Sequence, residues 1–266
     1  TRYEFDDEQW KELFKYCDEL GIESFTTPQN ISDLDFILGI RKLNLIKVGS
    51  DDLTNLPLLK YYASKKIPMI ISSGMSYESE IRDAIETIRN EGCDDLCVLH
   101  CVSSYPTEYQ DVNMKKMLSI KEKFGVKVGF SDHTADHLSS IAAVSMGATV
   151  IEKHFTLDKT SPGPDHWFSS DPREMMLLVE HVRKIEKILG KNKLIPTEKE
   201  VEMRKIARRS IVFKRGVKSG TVLTDDHFDF KRPGTGLSPK EVVNFLGKKI
   251  NYDVDKGDLL KYNMIK

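Results

Sequence analysis

The chain has 266 residues, of which 39% are hydrophobic and 30% charged, a composition typical of a folded globular protein. Its 40 basic and 41 acidic residues leave a net charge of −1, which argues against a broad electrostatic nucleic-acid binder. The sequence shows neither an apolar run of membrane-spanning length nor a secretory signal, so we expect neither a nucleic-acid nor a membrane partner.

Short apolar runs alternate with longer amphipathic segments along the first 190 residues. Six strands are predicted, at 22–26, 45–48, 68–72, 96–101, 126–130 and 149–152. Helices are predicted at 7–20, 77–90, 113–124 and 172–189. This alternation indicates a parallel sheet, and units of about 25–30 residues favour a βα barrel. A doubly wound sheet is the alternative, although no glycine-rich fingerprint follows a strand.

The pattern changes after the last long helix. Residues 191–208 are polar and charged and are interpreted as a linker, and residues 209–266 contain only short strands and turns. A V-x-x-G-x-x-L pattern occurs at 217–223 and again at 254–260. We therefore predict a barrel domain over 1–190 and a small β-rich domain over 209–266.

The four cysteines are not spaced as a zinc motif. Cys93, Cys97 and Cys101 are separated by three residues each, rather than by the two that are common in zinc sites, and Cys17 lies in a predicted helix. Reduced, largely buried thiols are expected, which suits a cytoplasmic location.

Hydroxyl-bearing residues follow every predicted strand, several of them beside a charged residue. Ligands of parallel α/β folds bind at the carboxyl ends of the strands, and hydroxyls with a lysine suit a phosphate or carboxylate. The alternative is that Ser and Thr are simply frequent after strands. The candidates are Thr27, Lys47, Ser50, Asp52, Ser72, Ser103, Tyr105, Ser131 and Glu152.

Two histidines, His133 and His154, follow neighbouring predicted strands and are expected to face one cavity. Two imidazoles together with water suit an open catalytic site for Mn²⁺, Mg²⁺ or Zn²⁺. The alternative is two histidines that only form hydrogen bonds. Asp165, in a loop stiffened by proline and glycine, is a candidate for binding sugar hydroxyls, and Arg232 precedes an exposed Pro-Gly turn.

These motifs together resemble the sialic acid synthase family, which makes N-acetylneuraminic, legionaminic and related acids. The resemblance covers nearly the whole chain, and its last part resembles the antifreeze-like (SAF) domain. It rests on TTP at 26–28, KVGS at 47–50, NLPLL at 55–59, SSGM at 72–75, LHCVSSYP at 99–106, GFSDHT at 129–134, GATVIEKHFTLDK at 147–159, GPDH at 163–166, RRSIV at 208–212 and KRPGTG at 231–236.

The resemblance implies a TIM-type (β/α)8 barrel followed by a SAF domain of the β-clip type. It also implies a transferase that condenses phosphoenolpyruvate with an N-acetylated hexosamine, giving a nonulosonic acid and phosphate. His133 and His154 would hold Mn²⁺ or Mg²⁺, and Lys47 would act with Asp52 or Glu152 in catalysis.

The substrate contacts follow from the same resemblance. Phosphoenolpyruvate would contact Lys47 and hydroxyls, and the sugar would contact acidic and aromatic side chains. Arg232 would reach the barrel of a partner in a domain-swapped homodimer. Relatives carry Asn at the position of Ser103, so that contact differs here. The phosphoenolpyruvate group is Thr27, Lys47, Ser50, Ser72, Ser103 and Ser131, and the sugar group is Asp52, Tyr105 and Asp165.

Rival interpretations are another metal-dependent barrel lyase or aldolase, and a non-catalytic saccharide-binding protein. An eight-unit barrel needs about 250 residues, whereas only six units are predicted before residue 190. The chain also begins at Thr1 rather than at Met. We therefore expect a barrel that lacks its first two βα units in this chain.

Overall fold

The computed structural model describes residues 5–265, which form two compact units that divide after Gly190. None of the helices within 5–265 is both long enough and apolar enough to cross a bilayer.

The first unit is built of alternating strands and helices. Its strands are β1 (Ile46–Val48), β2 (Met69–Ser72), β3 (Leu96–Cys101), β4 (Lys127–Asp132) and β5 (Ile151–Lys153). Its helices are α1 (Asp7–Glu19), α2 (Ile31–Ile40), α3 (Leu56–Ser64), α4 (Glu78–Asn90), α5 (Tyr109–Val112), α6 (Lys115–Phe124), α7 (Leu138–Ser145) and α8 (Pro172–Leu189).

The five strands form one parallel sheet in the order β1-β2-β3-β4-β5. A strand order that follows the chain, with a helix at every crossover between these strands, is that of a (β/α)8 barrel and not of a doubly wound sheet. A parallel bridge between Phe155 and Ser170 continues the pairing beyond β5. The predicted barrel-type α/β fold is confirmed, with five barrel strands in the part of the chain that the structure describes.

The two faces of the sheet have different neighbours. Val98 and Phe130 pack with the helices in the main core, whereas Ile70, Cys97 and Leu99 form a separate apolar cluster. Successive side chains on a strand point to opposite faces, so these clusters mark the helix side and the barrel interior. The carboxyl ends of the strands therefore carry polar residues above an apolar interior layer.

Local sequence explains where the main helices begin and which face they bury. Asp171 caps α8 by accepting from the backbone N–H of Glu174 at 2.8 Å, and Pro172 occupies the first turn, where its missing N–H costs nothing. In α4 the residues at helical spacing, Ile81, Ala84, Ile85 and Ile88, are all buried. The predicted amphipathic helix is confirmed there.

The strand predicted at 22–26 is wrong. These residues take no regular secondary structure, and Ile22 and Phe25 are 58% and 43% exposed. Side-chain contacts hold the segment instead, such as that from Asn44 Nδ2 to Glu23 Oε1 at 3.0 Å. An apolar run becomes a strand only where a neighbour pairs its backbone groups, and β1 pairs only with β2 among the described residues.

A core substitution in α3 tests the packing of the first unit. Leu59 is fully buried, so we expect Leu59→Ala to lower the free energy of unfolding by about 2–5 kcal/mol, because it removes apolar contacts and leaves a cavity. Urea unfolding followed by circular dichroism measures this loss. Leu157→Ala is the control, since Leu157 is 82% exposed and should change stability by less than about 0.5 kcal/mol. Equal losses in both variants would contradict the packing described.

The second unit contains helix α9 (Glu198–Ala207) and an antiparallel pair, β6 (Ser210–Phe213) and β7 (Phe228–Lys231). Its core is its own, with Phe213, Phe245 and Leu260 almost fully buried. The two copies of the repeated motif pair with each other, since Val217 and Val254 exchange backbone hydrogen bonds of 2.9 and 3.0 Å. The repeat thus forms two facing pieces of a small β-rich unit.

Candidate active site

A cavity of about 510 Å³ lies at the carboxyl ends of the strands. It is lined by Thr27, Lys47, Gly49, Ser50, Asp51, Ser72, Met75, Cys101, Ser103, Tyr105, Ser131, His133, Glu152 and His154. The structure thus brings together ten of the residues selected from the sequence, and adds Gly49, Asp51, Met75 and Cys101.

Lys47 is a buried cation at the floor of this cavity, and its side chain is 6% exposed. Its Nζ donates to Ser72 Oγ and to the carbonyl oxygen of Val48, both at 2.8 Å, and lies 3.4 Å from Glu152 Oε2. Strands β1 and β2 hold these groups side by side. The ammonium group is therefore oriented by neutral acceptors and faces one carboxylate.

Glu152 connects Lys47 to the histidine side of the cavity. Ser131 Oγ donates to Glu152 Oε1 at 2.7 Å, since the two residues are opposite each other in the ladder of β4 and β5. Ser131 Oγ also lies 3.4 Å from His133 Nε2. One continuous set of polar contacts therefore joins the lysine, the carboxylate, the hydroxyl and the imidazole.

The contacts of His133 indicate its tautomer. Its Nδ1 is 2.8 Å from the carbonyl oxygen of Val102, and a carbonyl can only accept, so Nδ1 carries the proton. In the neutral ring Nε2 has the free lone pair, and His133 lines the cavity. A metal-ligating histidine commonly has this arrangement, because the second nitrogen fixes the orientation of the ring.

His154 is the second imidazole of the cavity, with its ring centroid 5.3 Å from that of His133. Burial lowers the pKa of His154, and the neighbouring His133 lowers it further. The carboxylate of Asp165, whose Oδ2 lies 3.8 Å from His154 Nδ1, raises the pKa of His154 by a smaller amount. The neutral form, which is the one that binds metals, is therefore favoured at His154.

Three polar side chains converge on Gly74, which follows β2. A Cβ atom there would lie 2.4 Å from Ser103 Oγ, 2.7 Å from Ser50 Oγ and 3.0 Å from Cys101 Sγ. The backbone N–H of Gly74 also donates to Ser50 Oγ at 3.0 Å. A glycine at position 74 therefore leaves room for the hydroxyls of Ser50 and Ser103 at one wall of the cavity.

The acidic residue that follows β1 and lines the cavity is Asp51 and not Asp52. Both belong to the short 3₁₀ helix Ser50–Asp52, in which neighbouring side chains are turned about 120° apart. Asp52 Oδ1 instead accepts from Asn55 Nδ2 at 3.1 Å, near the start of α3. Sequence spacing could not decide between two adjacent acids, because the 3₁₀ turn selects which one faces the cavity.

Two further selected residues lie outside the cavity wall. Asp165 does not line the cavity, but its Oδ2 lies 3.8 Å from Nδ1 of the lining residue His154. Arg232 is exposed in the second unit, just after β7. Met75, which sequence reasoning missed, is 70% exposed and has a positive φ of 62° directly after Gly74. The SSGM motif contains Met75, but the motif alone does not show that this side chain lines the cavity, because the turn geometry decides it.

The donor set fits a divalent metal. His133 Nε2 and the His154 imidazole could supply two nitrogen ligands, and waters or substrate oxygens would complete an open coordination shell. Within residues 5–265 no group of three or more His, Cys, Asp and Glu side chains is arranged to hold an ion. The described residues would therefore contribute these two ligands.

The chain was compared with known proteins. The model of the NeuB family matches residues 1–194, and that of the SAF domain matches residues 208–266. The chain is 41% identical over 259 residues to the N,N'-diacetyllegionaminic acid synthase of Legionella pneumophila, covering 95% of this chain and 72% of that protein. It is 36% identical over 254 residues to the pseudaminic acid synthase of Campylobacter jejuni serotype O:23/36, covering 95% of this chain and 74% of that protein.

A solved structure is similar as well. The N-acetylneuraminic acid synthetase of Leptospira borgpetersenii, crystallised with citrate, superposes with a TM-score of 0.71 at 34% identity. The match covers 75% of this chain and 70% of that one.

Proposed function

The chain belongs to the NeuB family, and from that premise we propose that it condenses phosphoenolpyruvate with an N-acetylated hexosamine to a nonulosonic acid, releasing phosphate. The observation that carries this proposal is the juxtaposition, in one cavity, of the buried Lys47 and the pair His133 and His154. A lysine suits a phosphorylated acid, and a bis-imidazole site suits a metal that activates a carbonyl group.

The phosphate and carboxylate of phosphoenolpyruvate would be bound on the lysine side of the cavity. Lys47 Nζ offsets the charge that develops on the leaving phosphate, and hydroxyls donate to its oxygens. The oxygens of Ser50 and Ser103 converge within reach of Gly74, which places two donors at one wall. The binding group is Thr27, Lys47, Ser50, Ser72, Ser103 and Ser131.

The sugar would be bound on the histidine side. His133 and His154 would hold Mn²⁺ or Mg²⁺, and the bound ion supplies Lewis acidity to the open-chain aldehyde. The ring of Tyr105, 4.3 Å from that of His133 between centroids, offers an apolar face and a hydroxyl to the sugar. Asp165, beside His154, would accept from sugar hydroxyls.

In the reaction, C3 of phosphoenolpyruvate forms a bond to the aldehyde carbon, water adds at C2, and phosphate leaves with its bridging oxygen. We assign Glu152 as the base that takes the proton of this water. Its Oε1 is oriented by Ser131 and its Oε2 lies beside Lys47, whereas Asp52 is engaged by Asn55. The overall reaction balances, since one sugar, one phosphoenolpyruvate and one water give one keto acid and one phosphate.

Phosphate release tests the reaction class. The purified chain, with Mn²⁺ and phosphoenolpyruvate, should release phosphate only when an acceptor sugar is added, and mass spectrometry should detect a nine-carbon 2-keto acid. The acceptor series is N-acetylmannosamine, its 6-phosphate and 2,4-diacetamido sugars. Condensation of pyruvate with these sugars, without phosphate release, would instead establish an aldolase.

We further propose a homodimer in which Arg232 of one copy acts at the cavity of the other. Its exposed guanidinium, next to the rigid Pro-Gly turn, suits the carbonyl oxygen of an N-acetyl group. A mixture of two inactive variants tests this arrangement. Arg232→Ala and His133→Asn, refolded together, should recover roughly a quarter of wild-type activity, since half the dimers are mixed and each has one intact site.

Two controls accompany this mixture. Each variant refolded alone should remain inactive, and sedimentation should give a dimer. Failure of the mixture to exceed the separate variants would exclude residues from two copies in one site.

We also propose a cytoplasmic location. The described cysteines are free thiols, three of them buried, which agrees with a reducing compartment.

A further inference from the structure

A buried ion pair lies directly behind the two candidate metal ligands. Asp132 ends β4 just before His133, and Lys153 ends β5 just before His154. The two residues are opposite each other in the parallel ladder. Asp132 Oδ2 is 3.4 Å from Lys153 Nζ, and the two side chains are 0% and 3% exposed.

The alternation of side chains along the strands places this pair on the far side of the sheet from the cavity. Ser131 and Glu152, one residue earlier, form their hydrogen bond on the cavity side. Since successive side chains point to opposite faces, Asp132 and Lys153 point away from it, and the two histidines point back into it. Cross-strand contacts therefore hold this position on both faces of the sheet.

The pair also anchors the turn that follows the first histidine. Asp132 Oδ1 accepts from the backbone N–H and the hydroxyl of Thr134, at 2.9 and 2.7 Å, and Oδ2 accepts from Ser140 Oγ at 2.5 Å. Lys153 Nζ donates to the carbonyl oxygens of Thr134 and Asp136. The turn after one histidine is thus tied to the strand that carries the other.

Stability alone does not account for such a pair. The desolvation of two buried charges costs several kcal/mol for each ion and offsets much of their attraction, and in many proteins apolar residues of similar size give equal or greater stability. What the ion pair supplies is a single geometry, since one arrangement satisfies all of these donors and acceptors.

We infer that Asp132 and Lys153 form a positioning pair that fixes the separation of His133 and His154 and so determines the affinity for the metal. This inference rests on the proposed function. The pair does not line the cavity, and in this inference it acts through the backbone of the two histidines.

The double variant Asp132→Asn/Lys153→Met tests this inference. It removes both charges at similar volume and leaves no unpaired buried charge, so the fold should persist. Titration of Mn²⁺ by electron paramagnetic resonance should show a dissociation constant raised by about 10- to 100-fold. The matched control is Asp95→Asn/Lys127→Met, which removes a surface pair with side chains 60% and 64% exposed, and its dissociation constant should stay at the wild-type value.

A milder variant decides the question if the double variant does not fold. Ser140→Ala removes one donor to Asp132 and should raise the Mn²⁺ dissociation constant by between about two- and tenfold. A folded double variant that binds Mn²⁺ as wild type does, or an unchanged Ser140→Ala, would overturn the positioning role while leaving the proposed function intact. A wild-type chain that binds no Mn²⁺ would overturn both.

Discussion

His133→Asn should lower the rate of phosphate release by about a thousandfold, because a metal supplies several kcal/mol of charge stabilisation to the transition state. The asparagine amide can still donate to the carbonyl oxygen of Val102, which accepts from Nδ1 at 2.8 Å in the native protein. The variant therefore loses the Nε2 lone pair and keeps the local hydrogen bond. Activity is measured with added Mn²⁺, and Mn²⁺ binding is measured separately by electron paramagnetic resonance.

The control for this variant is His137→Asn, four residues further along the chain. The Nε2 atom of His137 is hydrogen-bonded to Nδ1 of His181 at 3.0 Å, and His137 does not line the cavity. Its loss should therefore leave both Mn²⁺ binding and turnover near wild type. Full activity of His133→Asn in metal-stripped buffer would show that His133 is not a metal ligand.

Lys47→Met should lower kcat/KM for phosphoenolpyruvate by about 100- to 1000-fold, the range for loss of one preorganised donor to a developing charge. Methionine keeps most of the length of the buried stem and removes the ammonium group. The partner carboxylate of Glu152 has a side chain that is 41% exposed, so water can solvate it once the lysine is lost. The fold should therefore persist, which the melting temperature checks.

Which kinetic constant changes in the lysine variant is as informative as the size of the loss in kcat/KM. KM for phosphoenolpyruvate should rise while KM for the sugar changes little, since the proposed function assigns Lys47 to the phosphate and the two histidines to the sugar. Lys60→Met is the matched control, because it removes an exposed lysine, 69% accessible, that pairs with Glu91. An unchanged KM for phosphoenolpyruvate in Lys47→Met would place the phosphate elsewhere in the cavity.

Local patterns in the sequence were sufficient for most of the barrel elements. The run 96–101 became β3 with the predicted bounds, and the helix predicted at 172–189 is α8. These elements are readable because an apolar run or a helical period is a property of neighbouring residues. The segment 22–26 was also predicted as a strand but pairs with no strand among residues 5–265, and a local pattern does not report pairing.

The candidate site was partly readable for a similar reason. Residues that follow parallel strands share one edge of the sheet, so a motif such as SDHT could be assigned to the cavity before its contacts were known. The choice of Asp52 over Asp51 was not readable, because it depends on rotation within one 3₁₀ turn. The contact between Asp132 and Lys153 was hidden as well, since a charged residue next to a histidine has many possible partners.

The sequence by itself determined the family, the alternation of strands and helices, and the residue types at each strand end. The tertiary structure decided which of these side chains meet, such as Lys47 with Glu152 and Asp132 with Lys153. The physical reason is that contacts across a sheet depend on register and on the two-residue alternation of side chains. Both are set when strands that lie far apart in the chain pair their backbones.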